Sequence, residues 1–247
     1  MNDYIIIGKI LPERAIISIV LPEVSFSPIV SEKSINKAKV SINNNQVYIL
    51  YSTDSEELRI HDIRNIAKQL IADHLSIIGY VLGYAYEIEL TRIINIEKGI
   101  DYVFGIDIPC LANRLNSQKP ETYKAEVNRI NNIISKQGSL SIYIYRCLND
   151  LKHAMTNPDD TGFYCYRAIE SLKQFCKYKF EIESEKEQWA KLSELTAYDS
   201  DKIQFTKEKA GPARHGDLPI ITDDDRVRIF TDTWDIVDSF FQGIGNE

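Results

Sequence analysis

Residues 37–81, KAKVSINNNQVYILYSTDSEELRIHDIRNIAKQLIADHLSIIGYV, place the pattern of a β-hairpin directly before that of one long helix. Two runs rich in β-branched residues, Lys37–Ile42 and Val47–Tyr51, flank three asparagines, and asparagine tolerates the left-handed backbone of a tight turn. Thr53–Glu56 then supplies capping side chains and early acids, which favour a helix start. After this start the sequence predicts one long amphipathic helix, because the residues of its packed face recur at spacings of three and four. These residues are Ile63, Ile66, Ala67, Leu70, Ile71, His74, Ile77, Ile78 and Val81.

Further strand patterns lie on both sides of this hairpin and helix. Tyr4–Ile10 and Ala15–Val20 are short β-branched runs separated by polar residues and a proline. Tyr84–Leu90 and Asp101–Ile108 follow the helix, and a Lys-Gly pair between them suits the turn of an antiparallel hairpin. Residues 1–116 are therefore predicted to form an α+β domain of unknown role, an antiparallel sheet with one long helix across it.

The pattern changes after residue 116. Ser117–Pro120 is a polar break, and we place a domain boundary there. The predicted fold class is α+β, because the N-terminal sheet and helix are followed by an all-α bundle over residues 117–247. Helical periodicity predicts the helices of this bundle at Glu121–Lys136, Ser139–Met155, Asp159–Phe180, Ser184–Thr196, Asp201–Ala210 and Asp223–Gln242.

Composition and charge narrow the possible functions. The 29 basic and 36 acidic residues give a net charge of −7, so bulk electrostatics does not favour non-specific duplex binding. The four cysteines form no C-x-x-C pair, which argues against structural zinc and fits reduced thiols. The longest nearly uncharged stretch, Leu75–Tyr86, is too short to cross a bilayer. We expect a cytoplasmic protein without a membrane partner. The motifs of phosphate-loop, dinucleotide-binding, metalloprotease and serine-hydrolase proteins are missing, so we expect no cofactor and no metal.

The most distinctive stretch is Ala210–Asp217, AGPARHGD. Pro212 cannot donate a backbone hydrogen bond, so we expect the preceding helix to end before it and Arg214 and His215 to lie just beyond. Histidine exchanges protons near neutral pH and arginine holds a phosphate through its fork of donors, so the pair suits phosphodiester chemistry. A structural alternative stays open, in which His215 caps the last helical carbonyls and Gly216 makes a left-handed turn.

A second distinctive stretch, Gly162–Leu172 (GFYCYRAIESL), belongs to a predicted helix with an apolar stripe. Arg167 and Glu170 stand three residues apart and share one side of that helix. Two arrangements fit this spacing. One is a surface ion pair, worth at most about 0.5 kcal/mol, and the other places both side chains in one cleft with Arg214 and His215.

The YRAIESL and ARHG segments, within a compact helical stretch at Glu121–Gln242, resemble the HEPN superfamily. The resemblance implies a nuclease motif near a late helix, in which four to six residues separate an arginine from a histidine. An acidic or amide side chain from an earlier helix often supports this motif. Active members are metal-independent endoribonucleases in which histidine acts on the 2′-hydroxyl, arginine steadies the phosphate and two protomers build the site. Others are inactive RNA-binding or dimerisation modules, and many belong to bacterial conflict and phage-defence systems.

The motif spacing in this chain differs from that of the superfamily. No arginine precedes His215 with four to six residues between them, and the cation at that spacing is Lys209, which lacks the arginine fork. A literal match of arginine, six residues and histidine occurs instead at Arg146 and His153, in RCLNDLKH, on an early helix of the bundle. Two histidines therefore compete for the catalytic role, and we favour His215.

These observations support one principal hypothesis and one alternative. The principal hypothesis is a HEPN-like homodimer of a bacterial stress or defence type that binds RNA or cleaves it without a metal. Histidine as general base and cations as charge stabilisers would supply the rate. The predicted catalytic residues are His215, Arg214, Glu170 and Arg167, and the predicted substrate-binding residues are Lys209 and Lys207. The alternative is a non-catalytic dimerisation or protein-interaction module with a degenerate nuclease motif, which the acidic balance favours.

Overall fold

The computed structural model describes residues 2–27, 34–105, 108–112, 120–198, 200–217 and 221–245. The chain divides into two compact units, residues 1–106 and 107–247, and each has a hydrophobic core of its own. The described part of the first unit is α+β and that of the second is helical, so the predicted fold class is confirmed. The predicted boundary at residues 116–117 lies outside the described residues. Within the described ranges, no helix is both long and apolar enough to cross a bilayer.

An antiparallel sheet forms the base of the first unit. It is hydrogen-bonded in the order β2–β4–β5–β1–β6–β7, and β3 also pairs with β4. The predicted asparagine turn joins β4 to β5, where Asn44 and Asn45 have φ values of 46° and 67°. The strands are β1 (Asn2–Leu11), β2 (Ile19–Val20), β3 (Val24–Phe26), β4 (Asn36–Asn43), β5 (Gln46–Thr53), β6 (Glu87–Asn95) and β7 (Ile100–Val103).

The long predicted helix, α1 (Ile60–Leu82), contributes to the core of this unit together with one face of the sheet. Its buried residues recur at helical spacing, as the amphipathic pattern predicts: Ile63, Ala67, Ile71 and Leu75. The helix begins later than the capping pattern at Thr53–Glu56 predicts, because Thr53 still belongs to β5. At the actual start, the Asp62 carboxylate accepts a hydrogen bond from the Arg59 backbone N–H at 3.0 Å.

The second unit is a bundle with α5 at its centre. Helix α5 packs against α4, α6, α7 and α8, and the ring of Phe175 on α5 meets that of Phe240 on α8 edge-on, 5.2 Å between centroids. Residues on different sides of α5 therefore face different helices. The helices are α2 (Pro109–Ala112), α3 (Pro120–Ser135), α4 (Ser141–Thr156), α5 (Thr161–Lys179), α6 (Glu185–Thr196), α7 (Ser200–His215) and α8 (Asp223–Gly245).

Helix α7 continues through Pro212 to His215, so the prediction that this helix ends at Ala210 is wrong. The proline removes one hydrogen bond from the last turns, but α7 packs against α5. The approach of the two helices is close: a Cβ atom on Gly162 of α5 would lie 2.9 Å from the carbonyl carbon of Lys209 on α7. Tertiary packing therefore outweighs the local preference of proline.

Candidate functional site

Arg214 and His215 occupy the last turn of α7, and both are exposed. The chain leaves the helix at Gly216, which has a left-handed φ of 79°, and the Asp217 N–H donates to the carbonyl oxygen of Pro212 at 3.0 Å. This is the Schellman type of helix ending, for which glycine is favoured because it has no Cβ atom. The predicted arginine and histidine thus stand on a defined helix end rather than beyond it.

Glu170 and Arg214 both lie near the ring of Tyr166 on α5. The guanidinium carbon of Arg214 is 5.8 Å from the centroid of the Tyr166 ring, within the range of a cation–π contact. The pKa of the Tyr166 hydroxyl is raised, chiefly by burial. The Glu170 carboxylate raises this pKa further, and the Arg214 guanidinium lowers it. The structure therefore brings Glu170 and Arg214 to the same aromatic side chain. We call Tyr166, Glu170, Arg214 and His215 the α7-end site.

Arg167 pairs with Asp150 on α4 and not with Glu170, so the predicted surface ion pair is wrong. The Nε and Nη2 atoms of Arg167 both donate to Oδ1 of Asp150, at 3.0 Å from Nε. The Asp150 side chain is 1% exposed and that of Arg167 is 34% exposed. The hydrogen bond that Arg167 donates to Asp150 is the main cause that raises the pKa of the Arg167 guanidinium. Arg167 is thus engaged between α4 and α5 rather than at the α7-end site.

The other histidine candidate, His153 on α4, belongs with this ion pair. Its ring stacks on that of Tyr164, with centroids 5.3 Å apart and planes at 28°. The guanidinium carbon of Arg167 lies 5.1 Å from the centroid of the same Tyr164 ring. Arg146, the other end of the arginine–histidine match, is exposed on α4. We call Asp150, His153, Tyr164 and Arg167 the α4–α5 cluster.

Asp150 is the polar residue that the sequence analysis missed. Among the described residues it is the only buried acid. Its signal is its position, because it shares the buried face of α4 with Cys147, Leu151 and Ala154 at helical spacing. A carboxylate on an apolar stripe needs a cation from a neighbouring element, since an isolated buried charge is strongly unfavourable.

The two lysines predicted to bind substrate have different surroundings. Nζ of Lys209 lies 2.7 Å from Oδ2 of Asp225 on α8, and this hydrogen bond is the main cause that lowers the pKa of Asp225. Lys207 is exposed, and it lies near Glu185, whose pKa is lowered chiefly by Lys173 and more weakly by Lys207. Lys209 therefore joins α7 to α8, whereas Lys207 faces solvent.

In the described part of the chain, metal or thiol chemistry would depend on the potential metal ligands and the cysteines. Among the described residues, no group of three or more histidine, cysteine, aspartate or glutamate side chains is placed to hold a metal ion. Cys147, Cys165 and Cys176 are buried and form no disulfide, and burial raises the pKa of Cys165 to about 12. A thiol with such a pKa is not a nucleophile at neutral pH.

Two family models match the chain. The N-terminal domain of DUF8168, a domain of unknown function, matches residues 4–104, and the C-terminal domain of DUF8168 matches residues 128–244. Each match covers less than half of the chain, and the two lie one after the other along it. No curated protein and no solved structure matches it. The α7-end site and the α4–α5 cluster both fall within the match to the DUF8168 C-terminal domain.

Proposed function

We propose that the helical unit is a HEPN-like module that cleaves RNA without a metal ion, with His215 as the general base. The observation that supports this most directly is the α7-end site, where His215 and Arg214 are exposed side by side and Arg214 lies over Tyr166 near Glu170. An accessible imidazole can accept a proton near neutral pH, and an accessible guanidinium can hold a phosphate through several donors.

The proposed reaction is an internal transfer within the RNA chain. His215 accepts the proton of the 2′-hydroxyl while the 2′-oxygen forms a bond to phosphorus and the bond from phosphorus to the 5′-oxygen breaks. The leaving 5′-oxygen takes a proton from water, and the products are a 2′,3′-cyclic phosphate and a 5′-hydroxyl. Arg214 stabilises the negative charge that develops on the phosphate oxygens.

The remaining predicted residues have supporting roles in this proposal. Tyr166 positions Arg214 through the contact of its ring with the guanidinium, and Glu170 adds a negative charge near the same tyrosine. Lys207 stays the substrate-binding cation, since it is exposed on the same helix. Arg167 and Lys209 are assigned to the contacts of α5 with α4 and of α7 with α8, where their carboxylate partners hold them.

The resemblance to HEPN proteins extends the proposal beyond the site itself. We infer that two copies form the active assembly, that RNA is the partner and that the protein serves in bacterial defence. The cysteines of the described residues form no disulfide, which fits a reducing compartment and the expected cytoplasmic location.

Cleavage of an unstructured, end-labelled RNA by the full-length protein in EDTA tests this proposal. The wild type is expected to cleave, and His215→Ala and Arg214→Ala are each expected to lower the rate constant at least about 100-fold. Both side chains are exposed, so the melting temperatures of the variants should equal that of the wild type. His61→Ala, an exposed histidine of the sheet unit, is the matched control and should cleave normally. Cleavage that survives His215→Ala, or that stops in EDTA, contradicts the proposal.

A second candidate function, non-catalytic protein interaction, is favoured by different observations. Two of the predicted site cations, Arg167 and Lys209, are already paired with carboxylates. The sheet unit also exposes large apolar side chains at the end of α1, including Tyr80 and Val81. This function predicts a folded wild type that cleaves no RNA in the assay above.

A further inference from the structure

The Tyr166 side of the α7-end site continues into a cluster of side chains from three helices. Helix α5 packs against both α6 and α7. Residues four or seven positions apart share one face of a helix, and each of the three helices contributes such a pair. The pairs are Tyr166 and Lys173 of α5, Glu185 and Trp189 of α6, and Lys207 and Arg214 of α7. We call these six residues the Trp189 cluster.

Contacts with α5 hold the indole ring at the centre of this cluster. The ring of Tyr166 stacks on that of Trp189, with centroids 6.4 Å apart and planes at 25°. Nζ of Lys173 lies 4.9 Å from the centroid of the Trp189 ring, within the range of a cation–π contact. Tyr166 and Lys173 both belong to α5, so this helix fixes the position of the indole ring, which remains partly exposed.

Glu185 orients the edge of the same indole ring. Its Oε1 lies 2.8 Å from Nζ of Lys173, and the Lys173 side chain is 7% exposed whereas that of Glu185 is 73% exposed. The hydrogen bond that Lys173 donates is the main cause that lowers the pKa of Glu185, and a hydrogen bond from Trp189 lowers it further. The indole has a single polar group, its N–H donor, so a carboxylate that a buried cation holds fixes the ring in one orientation.

The charge of the cluster is opposite in sign to that of the chain. Three of the six residues are cations and one is an acid, and Glu170 nearby adds a second acid, whereas the whole chain carries −7. Lys173 and Glu185 neutralise each other, so the accessible cations are Lys207 and Arg214, both exposed on α7. Proteins bind single-stranded nucleic acid with this combination, in which cations hold the phosphates and an aromatic ring stacks on a base.

We propose that Trp189 forms a base-binding subsite, where its ring stacks on a nucleobase of single-stranded RNA whose phosphate lies at Arg214. This inference rests on the proposed function, because it assigns the ring to the RNA that the α7-end site cleaves. Lys207 lies about two turns of α7 from Arg214 and binds a neighbouring phosphate. Every base has a π face, so the subsite selects unpaired nucleotides rather than one sequence.

Tryptophan fluorescence of the full-length protein tests this subsite. The chain has two tryptophans, Trp189 and Trp234. The probe is a short single-stranded 2′-O-methyl RNA of mixed sequence, which cannot be cleaved because its 2′-oxygens are blocked. In Trp234→Phe, where Trp189 is the reporter, saturating probe is expected to quench most of the fluorescence. Trp189→Phe is the matched control and should keep its fluorescence, because Trp234 belongs to α8 and lies outside the cluster.

Anisotropy of a fluorescently labelled probe measures the affinity of the variants, each below its own melting temperature. Trp189→Leu removes the ring but keeps an apolar side chain, and it is expected to raise the dissociation constant at least about 5-fold. Trp189→Phe keeps an aromatic ring and should raise it less. An abasic probe of the same length should bind the wild type and Trp189→Leu equally, because it offers phosphates without bases.

The outcomes separate the base subsite from catalysis. Binding of the probe without quenching of Trp189, or equal affinity of the wild type and Trp189→Leu for the probe, overturns the inference, and so does a wild type that does not bind the probe. Quenching of Trp189 in a protein that does not cleave RNA in EDTA would contradict the proposed catalysis alone. Cleavage without quenching would contradict the subsite alone.

Discussion

The α4–α5 cluster and the α7-end site contain the same residue types, a tyrosine, a histidine, an arginine and an acid, and α5 contributes to both. They differ in the burial of the acid. Asp150 is 1% exposed and fixes Arg167 between two helices, whereas Glu170 is half-buried and Arg214 remains exposed. A buried carboxylate must hold a cation, so the first group serves the fold. The second leaves its histidine and arginine accessible to a ligand.

This difference predicts a separation of stability from activity. Substitutions in the α4–α5 cluster should lower the free energy of unfolding and leave the chemistry of the folded protein unchanged. Substitutions of the accessible residues of the α7-end site, Glu170, Arg214 and His215, should do the reverse. The two groups lie in one helical bundle, so each variant of one is the natural control for the other.

Asp150→Ala is expected to have the largest effect on stability. Breaking a buried ion pair costs 3–5 kcal/mol in the most buried cases, but Arg167 is partly exposed, so we expect a loss of about 2 kcal/mol. Oδ2 of Asp150 is buried without a hydrogen-bond partner among the described residues, and its removal offsets part of the loss. Urea unfolding followed by circular dichroism measures the change.

Glu170→Ala is the matched control for Asp150→Ala, because both remove a carboxylate from the bundle. Glu170 is half-buried, and its replacement should change the free energy of unfolding by less than about 0.5 kcal/mol. Equal losses for the two variants would show that burial of the acid does not distinguish the two groups.

Lys209→Met should have a smaller effect that depends on pH. The pair of Lys209 with Asp225 is partly exposed, at 30% and 19% of the side chains, so its loss should cost less than about 1 kcal/mol at neutral pH. Lys209 lowers the pKa of Asp225 below its ordinary value of 3.8. The stabilisation is therefore present above that pH and is lost as the pH falls through the lowered pKa.

Acid unfolding of the wild type and of Lys209→Met checks this prediction. The difference in unfolding free energy between the two should be constant near neutral pH and should shrink as the pH falls below the ordinary pKa of Asp225. A difference that grows on acidification would contradict the assigned role of Lys209.

Local signals in the sequence were sufficient for the fold class. The asparagine turn between β4 and β5, the long helix α1 and the apolar stripe of α5 all depend on residues close together in the chain. Two errors arose where distant residues intervene. Gly162 of α5 allows α7 to pack closely and continue through Pro212. Ile77 and Val81 in the last turns of α1 belong to the packed face by periodicity but are exposed, because periodicity does not show whether another element covers them.

The candidate site was predicted only in part for a related reason. Spacing along one helix identifies neighbours on that helix, so Arg167 was paired with Glu170. Its partner, Asp150, is 17 residues away and on another helix. In the same way, Lys209 was assigned to substrate although Asp225 on α8 holds it. Of the predicted cleft of Arg167, Glu170, Arg214 and His215, the structure brings Glu170 and Arg214 to the same tyrosine, Tyr166, and holds Arg167 at Asp150 instead.

The most direct test compares the two histidines in one RNA cleavage assay in EDTA. His215→Ala is expected to reduce the rate constant at least about 100-fold and to melt like the wild type. His153→Ala loses the stacking of its ring on Tyr164, so it should melt at a lower temperature and, below that temperature, cleave at the wild-type rate. The opposite result, with cleavage lost in His153→Ala and kept in His215→Ala, would contradict the assignment of the catalytic base.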